Sequence, residues 1–286
     1  MNNSLDKKYL IKLRRLTIFK IILIVIALIG LLFLLFSLSF INITIKLIIV
    51  LVLLVIAAIL VYFIYKSYST RFKEVVIPIL AKDIFIDAYY VADGNITKES
   101  INNLDMIERG NEVISTNYVR GSYKHNLVEL SSITIADNTN FNEKEQRKVL
   151  FNGKWYMIGL KYGFVDDVLI IDKYSNLIKL STYERIETKD NVFDNRYRIL
   201  SNTSSQVLTF LTDEKRKMFI DFLDKVKCDV VFYFNKDKLH IGINSGQNVL
   251  KAPLFSKFDL EDYRNKMFEQ LEDVIKFVDD LGLFVE

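Results

Sequence analysis

The sequence predicts an α+β protein: an N-terminal two-helix transmembrane hairpin followed by a cytoplasmic domain with an antiparallel sheet and amphipathic helices. Three observations predict it. Two uncharged apolar runs, Ile21–Ile41 and Leu47–Tyr65, are separated only by Asn42–Lys46. Between about residues 112 and 244, short apolar stretches alternate with turn residues. Two late segments, Thr212–Val226 and Asp259–Leu281, carry apolar residues at three- and four-residue steps.

The runs of 21 and 19 residues can each cross a hydrocarbon core of about 30 Å at about 1.5 Å per helical residue. Ile21–Ile41 is longer than a secretory h-region, no Ala-x-Ala site follows it, and the second run begins at once, so it reads as an anchor. Neither run contains Asp, Glu, Lys, Arg or His. Transporters and pumps place ionisable groups at mid-membrane, and these runs do not. Ala27, Gly30, Ala57 and Ala58 permit close helix approach without forming a GxxxG motif.

Charge sets the expected orientation. Lys7, Lys8, Lys12, Arg14, Arg15 and Lys20 against Asp6 give residues 1–20 a net +5. Lys66, Arg71, Lys73 and Lys82 against Glu74 give residues 66–82 a net +3, whereas the turn holds only Lys46. Basic flanks stay inside, which puts both termini in the cytoplasm and makes the protein multi-pass in the cell membrane. Residues 83–286 carry a net −6, so the body has no basic balance suited to nucleic acid. The basic N-terminus reads as topogenic charge, with a grip on anionic lipid as the alternative. One cysteine, Cys228, excludes a disulfide framework and a thiolate zinc site. It reads as a small apolar residue entering a strand, and its solitude agrees with a reducing compartment.

Residues 1–70 thus form the hairpin with its basic flanks, and 71–286 the cytoplasmic domain. The domain opens with an exit helix at about 71–91, where Phe72, Val75, Val76, Ile79, Leu80 and Ile84 keep a helical period and Pro78 should kink or break it. Asp93-Gly94-Asn95 is a turn and Asn102–Ile107 a polar connector. Glu112–Val119 and Ser122–Ile135 read as strands bounded by Gly110 and Gly121. Asp137–Asn140 with the charged run Glu143–Lys148 reads as an exposed loop. Asn152-Gly153, between Val149–Phe151 and Lys154–Leu160, is the strongest hairpin signal in the chain. Phe164–Asp172, a turn at Asp172–Asn176, and Leu177–Thr188 extend the sheet, and Arg196–Leu200 adds a strand. Thr203 or Ser204 caps a short helix to Leu211, and Thr212 or Asp213 caps another to Val226. Asp229–Phe234 and Leu239–Asn244 form a hairpin across Asn235–Lys238, and Asp259–Leu281 closes the chain as a helix packed on the sheet.

No phosphate-binding glycine loop, dinucleotide fingerprint, zinc-protease helix or nucleophile elbow occurs, and no cofactor is expected. His125 and Glu129 would share a strand face by alternation, and His240 reads as the polar side of its strand. Asp166 and Asp167, adjacent in a strand, face opposite ways and do not suit one metal ion. The most particular stretch runs from Asp190 to Leu200. One reading is a turn and strand in which Arg196 pairs with Asp194 or a nearby acid. The other presents Asp194, Arg196 and Tyr197 to an anionic ligand or a partner.

At this stretch the chain resembles the bacterial membrane-anchored family known as domain of unknown function 3137. The resemblance rests on ordered features: the early membrane hairpin, Phe151-Asn152-Gly153 before the aromatic strand Trp155–Leu160, and Tyr183-Glu184 leading to Val192-Phe193. Asp194-x-Arg196-Tyr197-x-x-Leu200 follows, then Leu239–Asn244, Pro253-Leu254-Phe255 and an acidic amphipathic helix. It implies a cytoplasm-facing domain on two helices of a bacterial inner membrane and supplies no catalytic residues. The expected role is non-catalytic: binding of an unidentified protein partner, or regulation, at the inner face. A lipid- or small-ligand-sensing module, with Lys154, Lys161, Lys173 and Lys179 around a head group, is the alternative, and a hydrolase built from distant carboxylates stands behind both.

Overall fold

The computed structural model describes residues 3–92, 94, 96–141, 144–179, 183–246, 252–255 and 260–285. The chain divides into two units, Met1–Ile77 with Lys251–Asp259 and Pro78–Leu250 with Leu260–Glu286.

The first unit is built on helices α1 (Asn3–Ser37) and α2 (Ile43–Ala81). Asn42 opens α2: its side-chain oxygen accepts the Thr44 N–H at 3.0 Å and its carbonyl accepts that of Lys46 at 3.0 Å. Lys46, expected in the turn, lies in the first turn of α2. Its ammonium donates to the Phe36 carbonyl at 3.3 Å and so satisfies an end carbonyl of α1. Both helices are long and apolar enough to cross a membrane, and almost none of either apolar stretch is buried within the protein. Core helices of soluble proteins are covered; these side chains face outward. Two such helices near the N-terminus suggest a membrane anchor.

The exit helix expected to reach residue 91 is shorter. Pro78 is accommodated inside α2, close to its end, and the helix stops at Ala81, where the Phe85 N–H returns to the Ala81 carbonyl at 2.8 Å. Ile86–Val91 is instead strand β1. Its Tyr-Tyr-Val end suits a pleated surface better than another helical turn. Asp87, at φ +57°, marks an irregularity in its pairing.

The second unit continues with helix α3 (Lys98–Asn102), strands β2 (Glu112–Tyr123), β3 (Asn126–Phe141), β4 (Lys144–Gly159), β5 (Val168–Asp172) and β6 (Arg185–Ile186), and helix α4 (Asn191–Arg196). Strand β7 (Tyr197–Leu200), helices α5 (Ser204–Phe210) and α6 (Asp213–Val226), strands β8 (Asp229–Asn235) and β9 (Lys238–Asn244), and helix α7 (Leu260–Asp280) complete it. The described strands form one antiparallel sheet in the order β1-β2-β3-β4-β9-β8-β5-β7-β6.

Five sequence expectations change here. The β2–β3 turn falls at Lys124-His125, both at positive φ, with Asn126 Nδ2 donating to the Lys124 carbonyl at 2.6 Å. Gly121 lies inside β2, where a side chain would strike Phe85, and His125 is in a turn rather than on a strand face with Glu129. The expected loop at 137–148 is a two-stranded ribbon, continuing β3 and β4 from Ala136↔Val149 to Phe141↔Lys144; Asn142 and Glu143 lie outside the described residues. Asn152-Gly153 makes no turn. Thr134 and Ile133 pair with them in mid-strand, because a side chain at Gly153 would overlap the Ile243 carbonyl oxygen. Leu177–Thr188 forms no long strand: Ile178 makes a single bridge to Ile107, β6 spans Arg185–Ile186, and Leu180–Thr182 lie outside the described residues.

Register assigns the two faces of the sheet. Tyr156, Ile158, Leu239, Ile241, Ile243, Val230, Phe232 and Phe234 share the face covered by α6 and α7, where Phe219, Phe222 and Phe277 pack around Phe232. Trp155, Met157, Tyr233, Val231, Leu169, Ile171, Ile133 and Ile135 share the other face, covered by α3 and residues 104–107. Both helices are as the sequence predicts. Thr212 caps α6 by accepting the Lys215 N–H, and Lys227 ends it in the left-handed conformation.

Alanine at the two in-strand glycines of β4 tests this register. Gly153→Ala should destabilise the body by about 3 kcal/mol or more, since the obstacle is backbone. Gly159→Ala, whose added methyl meets nothing closer than 3.7 Å, should stay within about 1 kcal/mol. Thermal unfolding of the detergent-solubilised chain reads both.

Candidate functional site

The segment from Asp190 to Leu200 folds as the sequence suggests, around a capped turn. Asp190 accepts the Val192 and Phe193 N–H groups at 3.0 and 3.2 Å and the Arg216 Nε at 3.1 Å. The Phe193 N–H, then Arg216 and the Val192 N–H, hold its carboxyl below the usual range. Asp194 turns back and accepts the Thr188 hydroxyl at 2.9 Å and its N–H at 3.1 Å. Arg196 pairs with Asp224 of α6. Tyr197 is buried, its hydroxyl donates to the Phe219 carbonyl at 2.9 Å, and burial pushes its phenol up. The three candidate contacts share one short helix–strand junction, yet each is engaged in a different direction within the body.

The four lysines are not brought together. Lys161 follows β4 and Lys173 follows β5, and these strands run antiparallel, so the two lie at opposite ends of the sheet. Lys154 sits under α7, its ammonium donating to the Met267 carbonyl at 3.2 Å, and burial brings its pKa down to about 8. Lys179 lies by the α3 layer, its N–H bonded to the Met106 carbonyl.

Two polar features escape sequence reasoning. His240 faces the core rather than the polar side of its strand, 3 % exposed. Its Nδ1 accepts the Trp155 Nε1–H at 3.2 Å, which places the remaining ring proton on Nε2. Burial, with a smaller push from Lys238, brings its pKa down to about 3. Beside it, the Tyr233 hydroxyl donates to Asp167 at 2.6 Å and accepts the Asp105 N–H at 3.1 Å, and Asn235 donates to Asp167 at 3.2 Å. Burial, then the hydrogen bond to Asp167, keeps the phenol protonated. Alternation alone could not show that β9 is covered on both faces. Among the described residues no group of three His, Cys, Asp or Glu side chains could hold a metal ion. What this corner can do is exclude water and fix the loop holding Asp167 against β8.

A third feature lies in the first unit. Three successive carbonyls of the β9–α7 connection each accept a side-chain donor from the hairpin: Ala252 from Tyr65 at 3.3 Å, Pro253 from Tyr68 at 2.9 Å, and Leu254 from Arg14 Nε at 2.7 Å. Arg14 and Tyr65 stand 23 and 22 residues from the helix ends at Ser37 and Ile43, or about 35 and 33 Å along their axes. The segment therefore bridges both helices at one level. Tyr62, Tyr65 and Tyr68, clustered where the second apolar run ends, are the signal that could have located it.

Known proteins add one firm statement to this geometry. Residues 149–283 match the model of the family described as protein of unknown function DUF3137. The DUF3137 match runs from within β4, at Val149, through α7; the apolar helices, β1–β3 and the first residues of β4 lie outside it. Every motif quoted from the sequence, apart from the membrane hairpin, falls within the DUF3137 region. No curated protein matches the chain. Among solved structures, the mycobacterial trehalose monomycolate transport factor A, TtfA, aligns with a TM-score of 0.39 at 11 % identity, over 69 % of this chain and 91 % of that one.

Two substitutions test the buried groups. His240 has a folded pKa near 3 against about 6.5 unfolded, so the unfolded chain binds more protons below pH 6.5 and stability falls there. Acidification from pH 7 to 5 should cost about 2 kcal/mol through this residue, and His240→Gln should remove that loss from the unfolding profile. Lys154→Met should stabilise the protein by roughly 2 kcal/mol at pH 7. That gain should narrow between pH 8 and 10.5, where the wild-type lysine is deprotonated in the folded chain first.

Proposed function

We propose that this chain is a non-catalytic, partner-binding domain displayed at the inner face of a bacterial membrane, anchored by α1 and α2 with both termini cytoplasmic. The charge asymmetry supports the orientation: net +5 and +3 flank the outer ends of the helix pair, against a single Lys46 at the turn. The outward-facing apolar side chains of both helices support the anchor.

The observation that carries the partner reading is the β3–β4 ribbon. Pairing with β2 ends at Glu112↔Ala136, and β9 meets β4 only from Lys154 onward. Residues 137–141 and 144–148 therefore pair with one another and, among the described residues, with no third strand. Asn111 and Arg147 brace the base: Asn111 exchanges hydrogen bonds with the Asn138 backbone, and Arg147 Nε meets Glu112 at 2.8 Å. Beyond that brace the ribbon edges offer backbone donors and acceptors to another strand. Its exposed charges Arg147 and Lys148 oppose nonspecific edge pairing and leave selection to a complementary partner.

Replacing residues 138–147 with a two-residue Asn-Gly turn removes the ribbon and keeps the sheet. Affinity capture of full-length, detergent-solubilised protein should recover a reproducible partner that the shortened variant loses by tenfold or more. Equal recovery by both would refute the ribbon as the contact. Reporter fusions at each terminus should both report the cytoplasm, and an external C-terminus would overturn the orientation.

A further inference from the structure

We infer that the inner end of α1 carries a binding site for an anionic phospholipid head group, made by Lys8, Lys12 and Arg15 above an apolar floor. The inference rests on the membrane-anchored reading and names a ligand for it. At 100° per residue, Lys8, Lys12, Arg15 and Phe19 fall within one narrow stripe of the helix. Leu10 and Thr17, 6 % and 5 % exposed, lie on the opposite side, and Arg14 is committed to the Leu254 carbonyl. The packed and free faces of α1 are therefore distinct. Lys8, Ile11, Lys12, Arg15, Leu16 and Phe19 line an open groove on the free face, and no described carboxylate pairs with any of its three cations.

The order along the stripe matches the order of groups in a phospholipid. Lys8 to Arg15 lie 29 to 22 residues from Ser37, or about 44 to 33 Å, just beyond a hydrocarbon core of about 30 Å. Phe19, Ile22 and Ile26 continue the stripe toward the turn and are 58 %, 48 % and 60 % exposed. Three cations at phosphate depth, followed by an aromatic ring and aliphatic side chains at acyl depth, complement a negatively charged head group and its chain. A zwitterionic lipid offers the same chain without net charge. Each cation near such a surface favours the anionic lipid roughly fivefold.

Native mass spectrometry of the full chain, released from micelles with equimolar phosphatidylglycerol and phosphatidylcholine of identical chains, tests the site. The wild type should retain phosphatidylglycerol with at least about tenfold preference, and K8Q/K12Q/R15Q should bring that preference close to one. K8R/K12R should keep it. K66Q/R71Q/K82Q, which removes three charges from the α2 flank, should keep it too. All substituted side chains are exposed, so circular dichroism should match the wild type throughout. No preference in the wild type, or an equal loss in the α2-flank variant, would overturn the site while the need for detergent still supports the anchor. A chain that stays soluble without detergent would overturn both.

Discussion

The body depends on one strand being covered on both faces and both edges. β4 joins the β1–β2–β3 half of the sheet to the β9–β8–β5–β7–β6 half, so its residues must satisfy two neighbours and two layers at once. Trp155 and Met157 point into the α3 layer and Tyr156 and Ile158 into the α7 layer, all buried. Gly242 lies directly across from Trp155, where a side chain would collide with the indole. The Tyr156 hydroxyl reaches Gln270 at 3.4 Å and the Lys154 ammonium reaches Met267, so polar atoms on the helix side are tied to α7. On the other side the indole N–H donates to His240 Nδ1, and burial, with a smaller push from Lys238, keeps that ring neutral. The buried histidine thus serves as the hydrogen-bond partner of a tryptophan in a two-sided strand.

The same constraint explains what the sequence could and could not reveal. Helices α5, α6 and α7 were legible because their period is local, with apolar side chains every three or four residues; Thr212 caps α6 as expected, whereas Thr203 ahead of α5 makes no side-chain cap bond. The β8–β9 hairpin was legible for the same reason, with Lys236 at positive φ in its turn. Asn152-Gly153 misled because the local signal of a hairpin and the tertiary demand for a missing side chain select the same residue. Conversely Lys124-His125, a pair with no turn bias of its own, takes the positive-φ turn because the registers on either side, Tyr123↔Asn126 onward, leave it no alternative. The charged run 144–148 reads as a loop because it carries no apolar alternation, although its backbone pairs as a ribbon.

For the candidate site, residue type was legible and direction was not. Asp194, Arg196 and Tyr197 belong to one particular motif, but the acid that Arg196 meets is neither Asp194 nor any other acid of that stretch. That acid is Asp224, 28 residues away on α6, and no local rule could choose it over Asp194. Asp194 was already taken by Thr188, six residues before it. Tyr233 and Asp167 are 66 residues apart and meet only because β5 pairs with β8. The DUF3137 match covers these strands and says nothing of their chemistry, so their roles rest on geometry alone.

The segment Ala252-Pro253-Leu254 shows how an anchor constrains the chain around it. Backbone carbonyls near the boundary of a hydrocarbon layer need donors, because water is scarce there and an unpaired carbonyl costs several kcal/mol. A short irregular segment cannot supply them itself. Here three consecutive carbonyls receive them from Tyr65, Tyr68 and Arg14. Proline at 253 further removes one N–H that would have needed an acceptor. Tyrosine suits the task, since its ring tolerates the apolar side of the boundary while its hydroxyl faces the polar one. Arg14 keeps its charge while its Nε donates to the Leu254 carbonyl, which ties this level of α1 to the segment. The two helices therefore do more than present apolar side chains: between them they supply hydrogen bonds to a segment that lies 175 residues beyond Ile77 in the chain, at Ala252.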